Sequence, residues 1–188
     1  LLVVRKTRTE QHVLITTRLG KCIRFRGVNE DGELEVRHMG RVARGVRGIK
    51  LKSTDEIAGI EMLEADADML LLTITENGYG KRTAIERYRI QGRGGLGVIN
   101  MVVDDRNGPV VGSVQVNDTD LIMMMTNTGR VIKIPVVNIR ETQSRAAKGV
   151  RLMRIEKNER IVSVTRVVEE LDEEDALENT GEQAPEGG

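Results

Sequence analysis

Three stretches decide how this chain reads: Gly40-Arg41-Val42-Ala43-Arg44-Gly45-Val46, Gly92-Arg93-Gly94-Gly95-Leu96-Gly97-Val98 and Ser144-Arg145-Ala146-Ala147-Lys148-Gly149-Val150. Arg41, Arg93 and Arg145 are 52 residues apart, and each stands four residues before a Gly-Val pair. A fixed period of this length marks a repeat architecture with one supersecondary unit per repeat. The recurring element is basic and Gly-rich, so whatever is gripped is gripped several times with the same tool.

Outward from these stretches, the repeats share an internal order. Each opens on an apolar run ending in Thr: His12-Val13-Leu14-Ile15-Thr16-Thr17, Asp68-Met69-Leu70-Leu71-Leu72-Thr73 and Asp120-Leu121-Ile122-Met123-Met124-Met125-Thr126. A Gly turn follows at Gly20, Gly78 and Gly129, then a basic strand: Lys21-Cys22-Ile23-Arg24-Phe25, Gly80-Lys81-Arg82-Thr83 and Arg130-Val131-Ile132-Lys133-Ile134. After the arginine-glycine segment come a short strand (46–51, 98–103, 150–155) and a closing strand (56–62, 110–116, 160–167). Short Val- and Ile-rich runs bounded by Gly, Asn and Asp are strand signatures, and Asn77-Gly78, Asp31-Gly32 and Asn107-Gly108 mark tight turns. Alternation in 21–25 and 130–134 predicts one buried and one basic face.

The expected fold is therefore all-β, with three propeller-type blades of four strands each. Their boundaries are 12–62, 63–116 and 117–168. Residues 1–11 read as the closing strand of a preceding unit plus a linker, and the start without Met suggests a piece of something longer. Residues 169–188 are polar and acidic and read as a disordered tail.

The overall charge balance conceals an asymmetry. The chain holds 29 Lys and Arg against 29 Asp and Glu, yet nine of the acids fall in 169–188, which has no Lys or Arg. The body 1–168 is thus basic by nine charges. A basic body with an acidic tail suits a nucleic-acid binder carrying a competing polyanion. The single Cys22 excludes an intramolecular disulfide and fits a reducing cytoplasm. No apolar run approaches the ~20 residues of a membrane helix.

Enzyme-like signals are weak. Gly92 to Gly97 matches G-x-G-x-x-G, but a β-branched strand rather than a helix is expected after it. Gly80-Lys81 lacks the rest of a phosphate loop. His12, His38 and Cys22 have no zinc-like spacing, and no nucleophile elbow is present. Tyr88 beside Arg87 reads as a packed strand-end residue.

The basic positions are where the repeats agree. The candidate contact set is Arg24, Arg41, Arg44, Arg47, Lys50, Lys81, Arg82, Arg93, Arg130, Lys133, Arg145, Lys148 and Arg151, with Arg154 beside it. Aromatics make up 2% of the chain, whereas single-strand and RNA binders stack bases on aromatic rings. A basic, aromatic-poor surface suits the phosphate backbone of double-stranded DNA, through contacts that position rather than specify. Bendability is then the main selector.

At 40–49, at Thr75-Glu76-Asn77-Gly78-Tyr79-Gly80-Lys81-Arg82-Thr83 and at Gly108-Pro109-Val110-Val111-Gly112 the chain resembles the C-terminal domain of the DNA gyrase A-subunit family. The resemblance spans the chain and includes the acidic tail from Glu169. It implies a β-pinwheel of six blades, of which three are present, that wraps DNA around a basic rim. It also implies partners: the rest of the gyrase A subunit, plus the gyrase B subunit, in an A2B2 assembly, cytoplasmic and nucleoid-associated. ATP and Mg would be bound elsewhere in that assembly, leaving this segment with no cofactor and no chemistry of its own. The family's Q-R-R-G-G-K-G box is not among these residues; 91–97 looks like a degenerate copy in which Gly92 and Leu96 replace two basic positions. The alternatives are the corresponding domain in the A subunit of topoisomerase IV and a protein-binding propeller scaffold.

Overall fold

In the computed structural model the described residues are 3–8, 10–28, 31–64 and 69–167, so the expected acidic tail lies outside them. Eleven strands form three antiparallel sheets. The first unit supplies β1 (His12–Thr17), β2 (Lys21–Arg26) and β3 (Ile57–Leu63). The second supplies β4 (Leu70–Thr75), β5 (Tyr79–Ala84), a 3-10 turn Ile85–Arg87, β6 (Val98–Ile99) and β7 (Val110–Val116). The third repeats the plan with β8 (Leu121–Thr126), β9 (Val131–Pro135), a 3-10 turn Val136–Asn138, β10 (Val150–Arg151) and β11 (Ile161–Val167). Among the described residues no helix is long and apolar enough to cross a membrane.

The Thr that ends each of β1, β4 and β8 builds the turn after it. Thr17, Thr75 and Thr126 accept through their carbonyls from the N–H groups of Gly20, Gly78 and Gly129 at 3.0, 3.1 and 3.0 Å. Those glycines sit at φ +79°, +80° and +84°, the left-handed residue of a three-residue hairpin loop. The Thr17 hydroxyl accepts from Lys21 N–H at 3.0 Å, and the Thr126 hydroxyl from Arg130 N–H at 3.2 Å. All three units also carry a bulge at the same place, where the apolar strand meets its closing strand.

The sheets do not coincide with the sequence repeats. The order is β3-β1-β2-β6 in the first sheet and β10-β5-β4-β7 in the second, while the third holds only β11-β8-β9. The fourth strand of each complete sheet thus comes from the following repeat: Cys22 pairs with Val98, and Gly80 with Val150. This corrects the expectation that each unit keeps its own short strand. Residues 46–51 form no strand here, and those at 98–103 and 150–155 shrink to two residues. Strand propensity shows that a segment will pair, not with which neighbour. Residues 3–8 carry no regular structure.

The exchange needs glycine at the second and third Gly-Val pairs. Gly45, Gly97 and Gly149 lie at φ +77°, +66° and +77°. A Cβ on Gly97 would stand 2.3 Å from the Cys22 carbonyl oxygen, and one on Gly149 would stand 2.7 Å from that of Gly80. Gly45 has nothing within 4 Å.

Packing between sheets makes the core. Leu14, Cys22, Leu63, Leu71, Ile85 and Tyr88 cluster between the first and second sheets. Leu72, Ile74, Val114, Ile122, Met124 and Ile139 do so between the second and third. The closing strand β7 packs against both β3 and β11, so closing strands line the inner edge and β6 and β10 the outer rim. Sandwiching also corrects the expected alternation: β2 buries Cys22 through Phe25 without a break, whereas β9, covered on one side, does alternate. The outward face of the first sheet carries Ile15, Ile23, Phe25 and Ile49 beside a groove of about 540 Å³.

Candidate nucleic-acid interface

The outer rim is built from the arginine-glycine loops and the two-residue strands they lead into. Gly94 donates from its N–H to Gly48 at 2.6 Å, and Lys50 donates to Gly95 at 2.8 Å. One step further round, Val102 N–H donates to Ala147 at 3.1 Å. The loops therefore lean on one another through backbone, which leaves their cationic side chains to point outward.

The thirteen candidate cations divide into three groups. Arg41, Arg44, Arg47, Lys50, Lys133 and Arg151 are exposed. Arg93, Arg130, Arg145 and Lys148 also lie at the surface and are held by neighbouring groups. Arg93 donates to the Glu35 carbonyl at 2.7 Å, Arg130 pairs with Glu159 at 2.6 Å, and Lys148 pairs with Asp104 at 2.6 Å. The half-buried Arg145 donates to the Ile99 carbonyl.

Arg24, Lys81 and Arg82 leave the rim set altogether: their exposures are 7%, 0% and 8%. Arg24 and Arg82 hold the same register position on their strands, opposite Leu14 and Leu72. Each clamps the next unit's 3-10 turn. Arg24 donates to the Ile85 and Tyr88 carbonyls at 3.0 and 3.4 Å and contacts His12 Nδ1, while Arg82 donates to the Ile139 carbonyl and pairs with Asp118. Burial lowers the Arg24 pKa, with Glu86 opposing. Lys133 takes the same position on the third sheet, opposite Met123, and is exposed.

Lys81 belongs to a buried polar network. Its Nζ donates to Thr83 Oγ1 at 2.8 Å and to the Tyr88 hydroxyl at 3.3 Å. Tyr88 donates to Asn100 Oδ1 at 2.8 Å, and Asn100 donates to Thr73 at 3.0 Å. Burial pushes the Lys81 ammonium down to about 8 and the nearby Cys22 thiol up to about 12. Both groups sit in an apolar setting that disfavours charge, and Tyr88 is spent on packing and hydrogen bonding.

The sequence reading missed Arg37, Arg89 and Arg140, all exposed. Arg89 and Arg140 each stand two residues after a 3-10 turn, and Arg37 stands 52 residues before Arg89. The repeat offset that exposed Arg41 could have linked Arg37 to Arg89, whereas Arg140 falls 51 residues after Arg89 and out of that phase. Among the described residues no group of three or more His, Cys, Asp or Glu could hold a metal ion, and no helix follows Gly97.

Together, strand-exchanged antiparallel blades with a basic outer rim define a propeller of the DNA-topoisomerase type. The chain belongs to the DNA gyrase C-terminal domain, β-propeller family, whose description matches residues 11–64, 70–117 and 120–167. It is 38% identical over 180 residues to the DNA gyrase A subunit of Staphylococcus aureus (strain MRSA252), covering 96% of this chain and 20% of that protein. To the DNA gyrase A subunit of Salmonella typhimurium it is 41% identical over 175 residues, covering 93% and 19%. The chain therefore spans about a fifth of the length of these curated relatives. Among solved structures, the C-terminal domain of DNA topoisomerase IV superposes with TM-score 0.77 at 25% identity, over 94% of this chain and 53% of that one. The DNA gyrase A C-terminal domain superposes with TM-score 0.75 at 26% identity, over 86% and 52%.

Proposed function

We propose that this segment binds double-stranded DNA without sequence preference and bends it along the outer rim. It would do so within the A subunit of a gyrase, working with the rest of that polypeptide and with the B subunit in ATP-dependent negative supercoiling. The observation that carries the reading is the recurrence of exposed cations along the outer edge in all three units: Arg41, Arg44, Arg47 and Lys50, then Arg89, then Arg140 and Arg151. Repetition of phosphate contacts around a curved edge offsets the several kcal/mol that bending tens of base pairs costs. Residues 169–188 act as an intramolecular competitor for the same cations. A topoisomerase IV role has the TM-score of 0.77 in its favour; the gyrase relatives at 38% and 41% identity favour gyrase.

The test is the salt dependence of affinity for duplex DNA. If about six phosphates are neutralised, log affinity falls against log salt with a slope near −5. A flat dependence refutes the reading. In the same assay, removing 169–188 is expected to tighten binding, and unchanged affinity would dismiss the competitor role.

A further inference from the structure

Between the second and third sheets lies a cleft of about 450 Å³ whose walls include Tyr79, Arg106, Arg151, Arg154, Glu156 and Glu159. The Arg106 and Arg151 guanidinium carbons stand 5.0 and 5.4 Å from the Tyr79 ring centroid. Arg151 also donates to the Tyr79 hydroxyl at 2.8 Å. Tyr79 is 7% exposed, so both cations lie against a buried ring. Both carboxylates in the cleft are answered by Arg130, which contacts Glu159 at 2.6 Å and Glu156 at 3.7 Å. Among the described residues no carboxylate lies within ion-pair distance of Arg106, Arg151 or Arg154, although Glu156 and Glu159 share the cleft.

Comparison with the neighbouring interface shows that the strand itself does not require these cations. In register, Tyr79 faces Arg151 where Lys21 faces Ile99. Three residues further on, Arg154 corresponds to Val102. β6 forms with Ile99 as β10 does with Arg151, so the third repeat carries charge that strand exchange does not need. Repeat one has the same pattern in Arg47 and Lys50.

The geometry points to this cleft as a phosphodiester seat, in which Arg106, Arg151 and Arg154 converge on one backbone phosphate of bound DNA and Tyr79 positions Arg151. Planar guanidiniums donate in pairs to phosphate oxygens, and a ring-anchored arginine loses little freedom on binding. The corresponding position between the first and second sheets, with Ile99 and Val102, makes no such contact. This assignment rests on the DNA-binding reading above and deepens it to one site.

Fluorescence anisotropy with a labelled duplex across a salt series tests it, using the full chain, the R106Q/R154Q variant and a control beside the closing strand β3, R5Q. Arg151 is retained so that Tyr79 keeps its partner. The expected result is an affinity about tenfold weaker and a salt slope shallower by about 1 in R106Q/R154Q, with R5Q like the parent. A steep, unchanged slope in R106Q/R154Q overturns the seat but leaves DNA binding standing. A flat slope in the parent chain removes the DNA reading, and the seat with it. Calorimetry with inorganic phosphate alone completes the test: saturable binding that R106Q/R154Q abolishes, without the slope change, would reassign the cleft to a free anion.

Discussion

Lys81 is an ammonium buried to 0% exposure with no carboxylate against it among the described residues. Its pKa falls from 10.5 to about 8 because burial removes it from water. Between those values the unfolded chain binds the extra proton, so stability rises with pH across this window and the full cost applies below pH 8. That cost is about 3 kcal/mol. Lys81→Met is accordingly expected to stabilise the fold at pH 7. Urea denaturation should show its advantage narrowing by about 2 kcal/mol by about pH 9.5. A pH-independent difference would mean that folding leaves the Lys81 pKa unshifted. The sequence marked Lys81, Arg24 and Arg82 as rim cations because strand position alone does not reveal that sheets stack on both faces. Arg41 and Arg44 were legible because they fall in the arginine-glycine segment that repeats every 52 residues. Arg106 was not legible, since the partner that gives it a role, Tyr79, lies in a different strand.

At the scale of the element, glycine placement separates turn geometry from inter-sheet contact. Gly45 and Gly97 share a left-handed backbone, with φ of +77° and +66°. Only Gly97 has a neighbouring carbonyl, 2.3 Å from where a Cβ would go. Gly45→Ala should therefore cost only the left-handed penalty of about 1 kcal/mol, while Gly97→Ala should cost at least about twice that by prising β6 from β2. Thermal melts of the two variants make the comparison; equal losses would mean that β6 contributes nothing to holding the sheets together. The hairpins were readable from the sequence because Thr, two residues and Gly recur in all three units and dictate the loop locally. The exchange of β6 and β10 was not, because a segment such as 98–103 looks the same whichever sheet it joins. Only the register, Cys22 with Val98 and Gly80 with Val150, identifies the acceptor.

For the molecule as a whole, strand exchange makes each unit depend on the next. Arg24 and Arg82 reinforce this by clamping the following 3-10 turn, so neighbouring blades hold fixed angles and the rim keeps a fixed curvature. On the function proposed above, such a rim would impose a bend on DNA rather than merely accept charge. Resonance energy transfer between dyes at the two ends of a duplex of several tens of base pairs tests it most directly. On saturation with the chain at low salt the ends should draw together, and raising the salt should return them to the free distance as phosphate contacts are lost. Full binding with an unchanged end-to-end distance would contradict the account, leaving a basic surface that holds DNA without shaping it.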